Sequence, residues 1–400
     1  MRTRKLLALL LLLPLITFCG KDNPTPEPPD DGQEQGGGNQ DPPVDDPYAD
    51  AATEVKDGDV ILVTNAKMQA FLEDVKYPER DYSKTSIQEE KYGPTCPSLN
   101  SDRPQEYSIR WTEADVADDL VLTLKEDDGW SREMAVEEGA YFVNITNLRP
   151  NTNYQYEVKH ANGKVVTSGK FATKGLVYQV IFKSNVRNAR DLGGWKTKDG
   201  KTVKYRMIYR GGRLQSSTLN TKKGKEDFKA QGILAQLDLR GEDDVLSAPV
   251  MDYMDFCAPV IEEGYTQMLR DDGAKVKQCF EFVAKSVKEN KPVYYHCSLG
   301  RDRTGTLSML LLGVLGVDEG DISKEYELTQ FAPSGWATSS GETTKMTRRV
   351  DYKDAANYIW NNFVGEGESF AQGVEKYLTS EKVGVSPETI AEFRSLMLVD

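Results

Sequence analysis

The chain has 400 residues, too many for one ordinary hydrophobic core, so two folded units plus non-globular sequence are expected. A net charge of −13 at pH 7 argues against a general nucleic-acid-binding protein, and any bound anion must meet a local concentration of positive charge. Five scattered cysteines and two histidines, with no C-x-x-C pair, predict neither a metal site nor a disulfide framework.

Residues 1–19 have the pattern of an export signal. Basic residues among the first five precede an apolar run from Leu6 to Phe18, which is shorter than the roughly 18–20 residues that span a bilayer. Cys19 resembles the acylated cysteine of a bacterial lipoprotein, although Phe18 stands where such signals have a small residue. We therefore expect an exported protein, periplasmic or at the cell surface, anchored to a membrane through lipid on Cys19. Residues 20–47, rich in Pro, Gly and Asp, are predicted to be a disordered tether.

Short strands are predicted throughout residues 48–175. In the clearest part, "YQYEV" alternates, "ANGK" supplies a hairpin turn, and alternation resumes in "VVTSGKFAT". The stretch "LRPNTNYQY", with Trp111 in an earlier strand, resembles a fibronectin type III domain, an all-β sandwich in which Tyr154 would be the corner tyrosine bonded to the main chain. Residues 50–102 are expected to hold a first strand and an irregular insertion. The module is a spacer or scaffold, or it binds a partner, and the sequence leaves both open.

The motif "HCSLGRDRTG" spans residues 296–305, between a strand-like "KPVYY" and an apolar helical segment. A loop between the carboxyl end of a strand and the amino end of a helix gathers unpaired N–H groups and the positive end of the helix dipole. Phosphate suits that loop, and a cysteine placed there has its pKa lowered from about 8.5 to roughly 3.5–7.5. The spacing predicts Cys297 as a nucleophile and Arg303 as the group that binds two phosphate oxygens.

The other residues of this loop are predicted to complete the phosphate site. Gly300 permits the turn and a close approach of the backbone, and the Thr304 hydroxyl would donate to the sulfur when it leaves. Ser298, Leu299 and Arg301 would contribute to substrate binding. The thiolate would attack phosphorus and water would hydrolyse the thiophosphate, without a metal or another cofactor. A merely buried cysteine that caps a strand would leave the glycine and the arginine unexplained.

The same motif resembles the signature of the cysteine-dependent protein tyrosine phosphatase superfamily, and in particular the secreted bacterial enzymes that also hydrolyse phosphoinositides. The segments "NARDLGGW", "IYRGGRL", "ILAQLDLRGEDD" and "LGVDEGDISKEYELT" follow in the family's order, so the resemblance covers about residues 177–398. It implies that residues 176–400 form an α/β domain with a mainly parallel sheet flanked by helices. It also implies that Cys297 is the nucleophile, Arg303 the phosphate-binding arginine, and Asp302 an acid/base. Arg301 stands where the relatives often have lysine.

The proton donor for the leaving group is less well specified. None of the five tryptophans is followed by proline, so the Trp-Pro-Asp loop of many tyrosine phosphatases is absent. Asp302 is the first candidate. Asp271 and Asp272, ahead of a predicted helix, are the next, with an ordinary helix-start role as their alternative.

Three further polar residues are assigned to substrate binding or to its support. His296 is predicted to orient the cysteine loop by hydrogen bonds from its ring. Asp238 and Arg240 end a predicted parallel strand, where ligands of open α/β sheets gather, although a structural ion pair would fit them equally. The basic region 183–225 has thirteen lysines and arginines against two aspartates; it would steer multiply phosphorylated substrates or simply be solvated.

The sequence thus predicts a phosphomonoester hydrolase acting on phosphotyrosine proteins, with phosphoserine, phosphothreonine or phosphoinositides as further substrates. A phytase-like inositol polyphosphate phosphatase and a non-catalytic phosphopeptide-binding module are the alternatives. Sulfur transfer by a rhodanese-like domain is disfavoured, because "DRTG" opens the helix and no tandem repeat is present.

Overall fold

The computed structural model of the protein describes residues 52–82, 106–112, 117, 119–331 and 349–400. The predicted signal, Cys19 and the tether lie outside the described residues. Residues 47–400 form one compact unit. Within the described ranges, no helix has the length and apolar character required to cross a membrane.

The strands up to residue 174 form two sheets with a shared hydrophobic core. They are β1 (Thr53–Glu54), β2 (Val60–Leu62), β3 (Tyr107–Arg110), β4 (Val121–Glu126), β5 (Ser131–Ala135), β6 (Phe142–Ile145), β7 (Asn153–Lys159) and β8 (Val165–Lys174). One sheet has the order β1-β3-β6 and the other β2-β8-β7-β4-β5. Ile109 from the first sheet and Leu122, Leu124 and Val158 from the second belong to the same buried cluster.

Two details predicted for this part of the chain are present. The "ANGK" turn joins β7 to β8, with Gly163 at φ 87°, a left-handed conformation that suits glycine. The Tyr154 hydroxyl accepts a hydrogen bond from the Arg149 N–H at 2.8 Å, as expected of a corner tyrosine. It also donates to the buried Glu126 carboxylate at 2.5 Å.

Residues 65–75 were not predicted to be helical, and the irregular insertion was expected further on, around residues 77–85. They contain helix α1 (Ala66–Asp74), capped by the Asn65 side chain, which accepts hydrogen bonds from two backbone N–H groups. The helix buries Met68, Phe71 and Leu72, whose spacing forms a narrow apolar stripe, against residues far along the chain that include Phe331. The apolar spacing of these residues in the sequence does not indicate that Phe331 is the residue they pack against.

The remaining elements build the second half. They are β9 (Arg190–Asp191), β10 (Thr202–Val203), β11 (Ile208–Gly211), α2 (Lys222–Ala230), β12 (Ala235–Asp238), β13 (Asp255–Cys257), α3 (Tyr265–Asp271), α4 (Gly273–Lys288), β14 (Val293–His296), α5 (Asp302–Leu315), α6 (Glu319–Glu327), the 3₁₀ helix Leu328–Phe331, α7 (Arg349–Phe363), α8 (Phe370–Thr379), α9 (Pro387–Met397) and β15 (Leu398–Val399). Strands β10 and β15 pair antiparallel. The mixed α/β class that the sequence predicts is confirmed.

A five-stranded sheet in the order β13-β12-β14-β11-β9 lies at the centre of this half. The pairs β12–β13, β12–β14 and β11–β14 are parallel, and β9–β11 is antiparallel. Alternate residues of β14 enter different clusters: Val293 and Tyr295 pack with the helices from α3 onward, and Tyr294 packs with Phe228 of α2. Helices therefore cover both faces of the sheet, and the carboxyl end of β14 lies between β11 and β12 at the edge of the sheet.

Buried ion pairs join the two halves. The Glu126 carboxylate at the end of β4 bonds Arg206 and, at 3.0 Å, Arg149. Arg132 of β5 pairs with Asp227 of α2 at 3.1 Å, and both side chains are largely buried. Because these charges are removed from water, their separation would leave uncompensated charges in the core.

Candidate active site

The predicted cysteine loop connects β14 to α5 at the carboxyl edge of the central sheet. His296 is paired in register with Gly211 of β11 on one side and Asp238 of β12 on the other. Cys297 follows directly and is 2% exposed. Helix α5 begins five residues later, so its unpaired amino-terminal N–H groups lie next to the loop.

The loop carbonyls accept hydrogen bonds from donors outside the loop, and its amides do not take part in those bonds. The donors are His296 Nδ1 to Cys297 (3.3 Å), Arg213 N–H to Ser298 (3.1 Å), and Asn188 Nδ2 to Leu299 (3.2 Å) and Gly300 (3.0 Å). By contrast, the amides of Ser298, Leu299 and Gly300 donate to no protein acceptor among the residues that the structure describes. The loop thus presents N–H groups that an anion can accept.

A buried charged cluster holds this arrangement in place, and the sequence did not identify it. Arg210 of β11 bonds the Gly300 carbonyl through Nη2 and Glu325 through Nη1 at 2.7 Å. Arg190 of β9 bonds the other Glu325 oxygen through Nε at 2.8 Å and also bonds Asn188 through Nη1 at 2.5 Å. The one carboxylate therefore compensates two buried guanidinium groups, and both connect to the donors that fix the loop.

Glycine is required at the turn of the loop. Gly300 has φ 71°, and a Cβ atom there would collide with the Gly211 carbonyl group and would lie 2.6 Å from the Gly212 nitrogen. The motif "IYRGGRL" therefore supplies Arg210, which bonds the Gly300 carbonyl, and the Gly211 backbone, which lies against Gly300.

The electrostatic surroundings of Cys297 favour the thiolate. Burial raises the pKa of this thiol, but the Arg303 charge and hydrogen bonds from the Thr304 side chain and backbone outweigh burial, so the pKa lies below its ordinary value. The Thr304 hydroxyl is fully buried near the sulfur and, within the described ranges, makes no hydrogen bond of ordinary geometry, so it is available to donate to the sulfur. The predicted cysteine, arginine and threonine are thus brought together.

Asp302 lies at the first turn of α5, close enough to Cys297 for its charge to oppose the thiolate. Its Oδ1 accepts from Arg301 Nε at 2.6 Å and from the Tyr265 hydroxyl, and its Oδ2 accepts from Arg301 Nη2 at 3.3 Å. Arg301 therefore pairs with Asp302. The Arg303 guanidinium donates to the Ile261 carbonyl at 2.8 Å, which fixes it beside the loop.

Both ring nitrogens of His296 are bonded at the base of the loop, where the sequence predicts a supporting role for this residue. Its Nε2 lies 2.9 Å from the Gln236 amide nitrogen, which must donate, and its Nδ1 donates to the Cys297 carbonyl. Burial lowers the pKa of His296 to about 4 despite the nearby Asp238 carboxylate, so the ring is neutral at pH 7. A neutral ring with both nitrogens bonded orients the loop.

Comparison with known proteins decides the family. The group described as the tyrosine phosphatase family matches residues 182–399, more than half of the chain. This chain belongs to the tyrosine phosphatase family. A protein of Cupriavidus necator named as a tyrosine-protein phosphatase is 26% identical over 207 residues, which are 43% of this chain and 75% of that protein. The tyrosine-protein phosphatase of Nostoc commune is 32% identical over 80 residues, 20% of this chain and 26% of its own length. The crystal structure of P. aeruginosa TpbA is similar with a TM-score of 0.28 and 16% identity, covering 44% of this chain and 89% of that one.

The protein is therefore a phosphatase of the cysteine-dependent superfamily, and its remaining predicted site residues can be located in the tyrosine phosphatase domain. Asp238 and Arg240 are almost wholly buried, and they bond each other through Oδ2 and Nη2 at 2.9 Å. Arg240 also bonds Gln215, and the Leu246 N–H donates to Asp238. These contacts favour the structural ion pair over the substrate-binding role that was also considered.

Asp271 and Asp272, the alternative candidates for the acid, lie at the carboxyl end of α3, away from the cysteine loop. Asp271 ends this helix and pairs with Arg270 at 2.7 Å, and Asp272 pairs with Lys275 at 2.9 Å. Since a helix rises about 1.5 Å per residue, Asp271 is roughly 9 Å along the axis from Tyr265, the residue of α3 that contacts the loop. The ordinary structural role weighed for these aspartates fits their contacts better than catalysis.

The basic region 183–225 is not one patch. Arg190 and Arg210 are buried beneath the loop, Arg206 pairs with Glu126, and Lys223 pairs with Asp227. Arg187 is exposed, and its carbonyl accepts the Gly212 N–H below the loop. Much of this positive charge therefore builds the domain, and only part of it is available at the rim.

Leu299 is the exposed tip of the loop, and Ser298 donates to Asp244 at 3.3 Å. In the described part of the chain, no three His, Cys, Asp or Glu side chains are grouped to hold a metal ion.

Proposed function

We propose that the protein hydrolyses phosphotyrosine in proteins through a cysteinyl-phosphate intermediate and without a metal. The observation that carries this proposal is the set of loop carbonyls bonded from outside, which leaves amide N–H groups and Arg303 to bind a phosphate beside the Cys297 thiolate. The family supports the reaction class, and the reacting atoms are assigned from the geometry of this chain.

The reaction has two steps that use the same groups. The Cys297 sulfur attacks phosphorus, so that an S–P bond forms and the bond to the tyrosine oxygen breaks; the leaving oxygen takes a proton from Asp302. A water molecule then attacks phosphorus and gives its proton to Asp302, and the S–P bond breaks. Thr304 stabilises the sulfur as it leaves, while Arg303 and the loop amides bind the equatorial oxygens throughout.

The test uses a chain that begins at Pro47, because the compact unit starts there. With a phosphotyrosine peptide and a chelator present, we expect turnover by the parent and none by Cys297→Ser. Rapid acid quench should trap a phosphoryl group on Cys297. Turnover by Cys297→Ser, or no covalent phosphate in the parent, would refute the proposed mechanism. Peptide binding without turnover in the parent would instead support the binding-module alternative.

Further substrates are proposed from the charge around the loop. Arg187 is exposed and, among the described side chains, has no ion-pair partner, and the Arg213 backbone bonds the Ser298 carbonyl. The exposed Arg187 guanidinium, on the segment that bonds Gly212 below the phosphate loop, supports substrates with a second negative group, such as phosphoinositides or soluble inositol phosphates. Phosphoserine and phosphothreonine peptides belong to the same panel. Glutamate substitution of Arg187 should lower kcat/KM for a phosphoinositide more than for an aryl phosphate.

The amino-terminal assignments are proposals as well. The Tyr154 contact and the two sheets with one core support a fibronectin type III-like sandwich at residues 48–175. The apolar run that ends at Cys19 supports an exported, membrane-anchored lipoprotein. In cells fed a labelled fatty acid, the parent should incorporate label and fractionate with membranes, and Cys19→Ser should do neither.

A further inference from the structure

The Asp302 carboxylate is held by a tyrosine that approaches from a separate helix. The Tyr265 hydroxyl, at the first residue of α3, donates to Asp302 Oδ1. The same hydroxyl lies 2.5 Å from the hydroxyl of Tyr326, a residue of α6 that is 1% exposed. Since each phenol has one hydrogen, the Tyr326 O–H donates to Tyr265 and the Tyr265 O–H donates to Asp302.

This tyrosine is fixed by its backbone as well as by its hydroxyl. Tyr265 has φ 52°, which is uncommon for a bulky residue, and its N–H donates to Thr306 Oγ1 at 2.8 Å. A Cβ atom on Gly264 would lie 2.9 Å from the Asp302 carbonyl carbon and 3.0 Å from the Arg303 nitrogen. The start of α3 is thus packed directly on the start of α5, and this contact aims the phenol at Asp302.

The two oxygens of Asp302 are therefore not equivalent. Oδ1 accepts from both Tyr265 and Arg301 Nε, whereas Oδ2, among the residues that the structure describes, accepts only at the longer distance from Arg301 Nη2. A carboxyl group that delivers a proton must hold it on an oxygen that is not already saturated by donors, and here that oxygen is Oδ2. Burial first, and then the nearby Tyr326 and Asp302, raise the pKa of Tyr265, so its phenol remains a donor while Asp302 changes charge.

We propose that Tyr265, backed by Tyr326, is a positioning residue that orients Asp302 so that Oδ2 carries the proton in both chemical steps. The inference rests on the proposed function, in which Asp302 protonates the leaving oxygen and then accepts a proton from water. Tyr265 itself exchanges no proton with the substrate. It restricts the rotation of the carboxyl group and stabilises the carboxylate that the first step creates.

Leaving-group dependence tests this role. Phenyl phosphate needs a proton on its departing oxygen, whereas dinitrophenyl phosphate does not. The ratio kcat/KM reports only the first step, because hydrolysis of the cysteinyl phosphate is the same for both substrates. For Tyr265→Phe, kcat/KM with phenyl phosphate should fall roughly tenfold to a hundredfold, and kcat/KM with dinitrophenyl phosphate should stay within about twofold of the parent. Tyr326→Phe should also lower the rate with phenyl phosphate and not with dinitrophenyl phosphate, but by a smaller factor. It replaces Tyr265→Phe in the test if that variant does not fold.

The matched control is Tyr377→Phe, which removes a buried phenol that bonds the Leu269 carbonyl on α3. It should show no selectivity between the two substrates. In Asp302→Asn, which should show the full selective loss, the addition of Tyr265→Phe should cost nothing more. If Tyr265→Phe lowers kcat/KM equally with both substrates, or with neither, the inference is overturned while Asp302 remains the acid. If Asp302→Asn itself shows no selectivity, the proposed acid is wrong and the inference fails with it.

Discussion

Replacement of Glu325 by glutamine should destabilise the protein strongly, because one carboxylate compensates two buried arginines. Its side chain is 2% exposed and accepts from Arg190 at 2.8 Å and from Arg210 at 2.7 Å. When one partner of a buried ion pair is removed, the charge left behind costs about 3–5 kcal/mol. The neutral amide can still accept one of the two hydrogen bonds, so we expect a loss of about 3 kcal/mol in the free energy of unfolding.

Urea unfolding measures this loss, with Glu375→Gln as the control. Glu375 pairs with Arg394 at a similar distance, 2.7 Å, but on the surface, with side-chain exposures of 37% and 31%. Its substitution should cost less than about 1 kcal/mol. Because Arg210 also holds the Gly300 carbonyl, Glu325→Gln should in addition lower kcat at a temperature where it remains folded. Equal stabilities of the two variants would refute the account of Arg190 and Arg210 as charges that depend on Glu325.

Three other outcomes follow from the loop. The rate of alkylation of Cys297 by iodoacetamide should rise with pH through a midpoint below that of a free thiol, and Arg303→Met should move the midpoint upward; an unmoved midpoint would contradict the role of that charge. Gly300→Ala should abolish turnover, since the added methyl group collides with Gly211; near-parental kcat would show that the turn is not required. The neutral His296 ring stabilises the fold fully above pH 6.5, and this contribution is lost as pH falls towards 4. Between pH 7 and pH 4, the free energy of unfolding of the parent should therefore fall by about 3 kcal/mol more than that of His296→Gln. Urea unfolding at both pH values measures this difference.

The cysteine loop could be predicted from the sequence because its chemistry is local. Cys297, Gly300 and Arg303 lie within seven consecutive residues, and the strand before them and the helix after them fix how the loop runs. The positions of Gly300 and Arg303 relative to Cys297 in the sequence are therefore enough to predict how they are arranged around it. Tyr154 and the hairpin after it could be predicted for the same reason.

The supports of the loop could not be predicted in this way, because they depend on pairing between distant elements. Arg190 and Arg210 add to the count of basic residues in the sequence, and nothing nearby identifies Glu325, 135 and 115 residues away, as their partner. Tyr265 is likewise 37 residues from Asp302 and belongs to another helix. In the sequence, the charge density of residues 183–225 fits a steering patch and a solvated surface equally, whereas the structure has Arg190, Arg206 and Arg210 in buried ion pairs.

Helix α1 has a consequence for how the polypeptide is made. Its apolar side is completed by Phe331, and the Tyr77 hydroxyl just after it donates to Glu327, 250 residues further on. At roughly 5–20 residues per second, a ribosome takes about ten to fifty seconds to supply that partner. Until then, Met68, Phe71 and Leu72 lack part of the apolar cluster that buries them in the folded protein. Among the described elements, this first helix is therefore one of the last to complete its packing, and during that interval it is a natural target for chaperones.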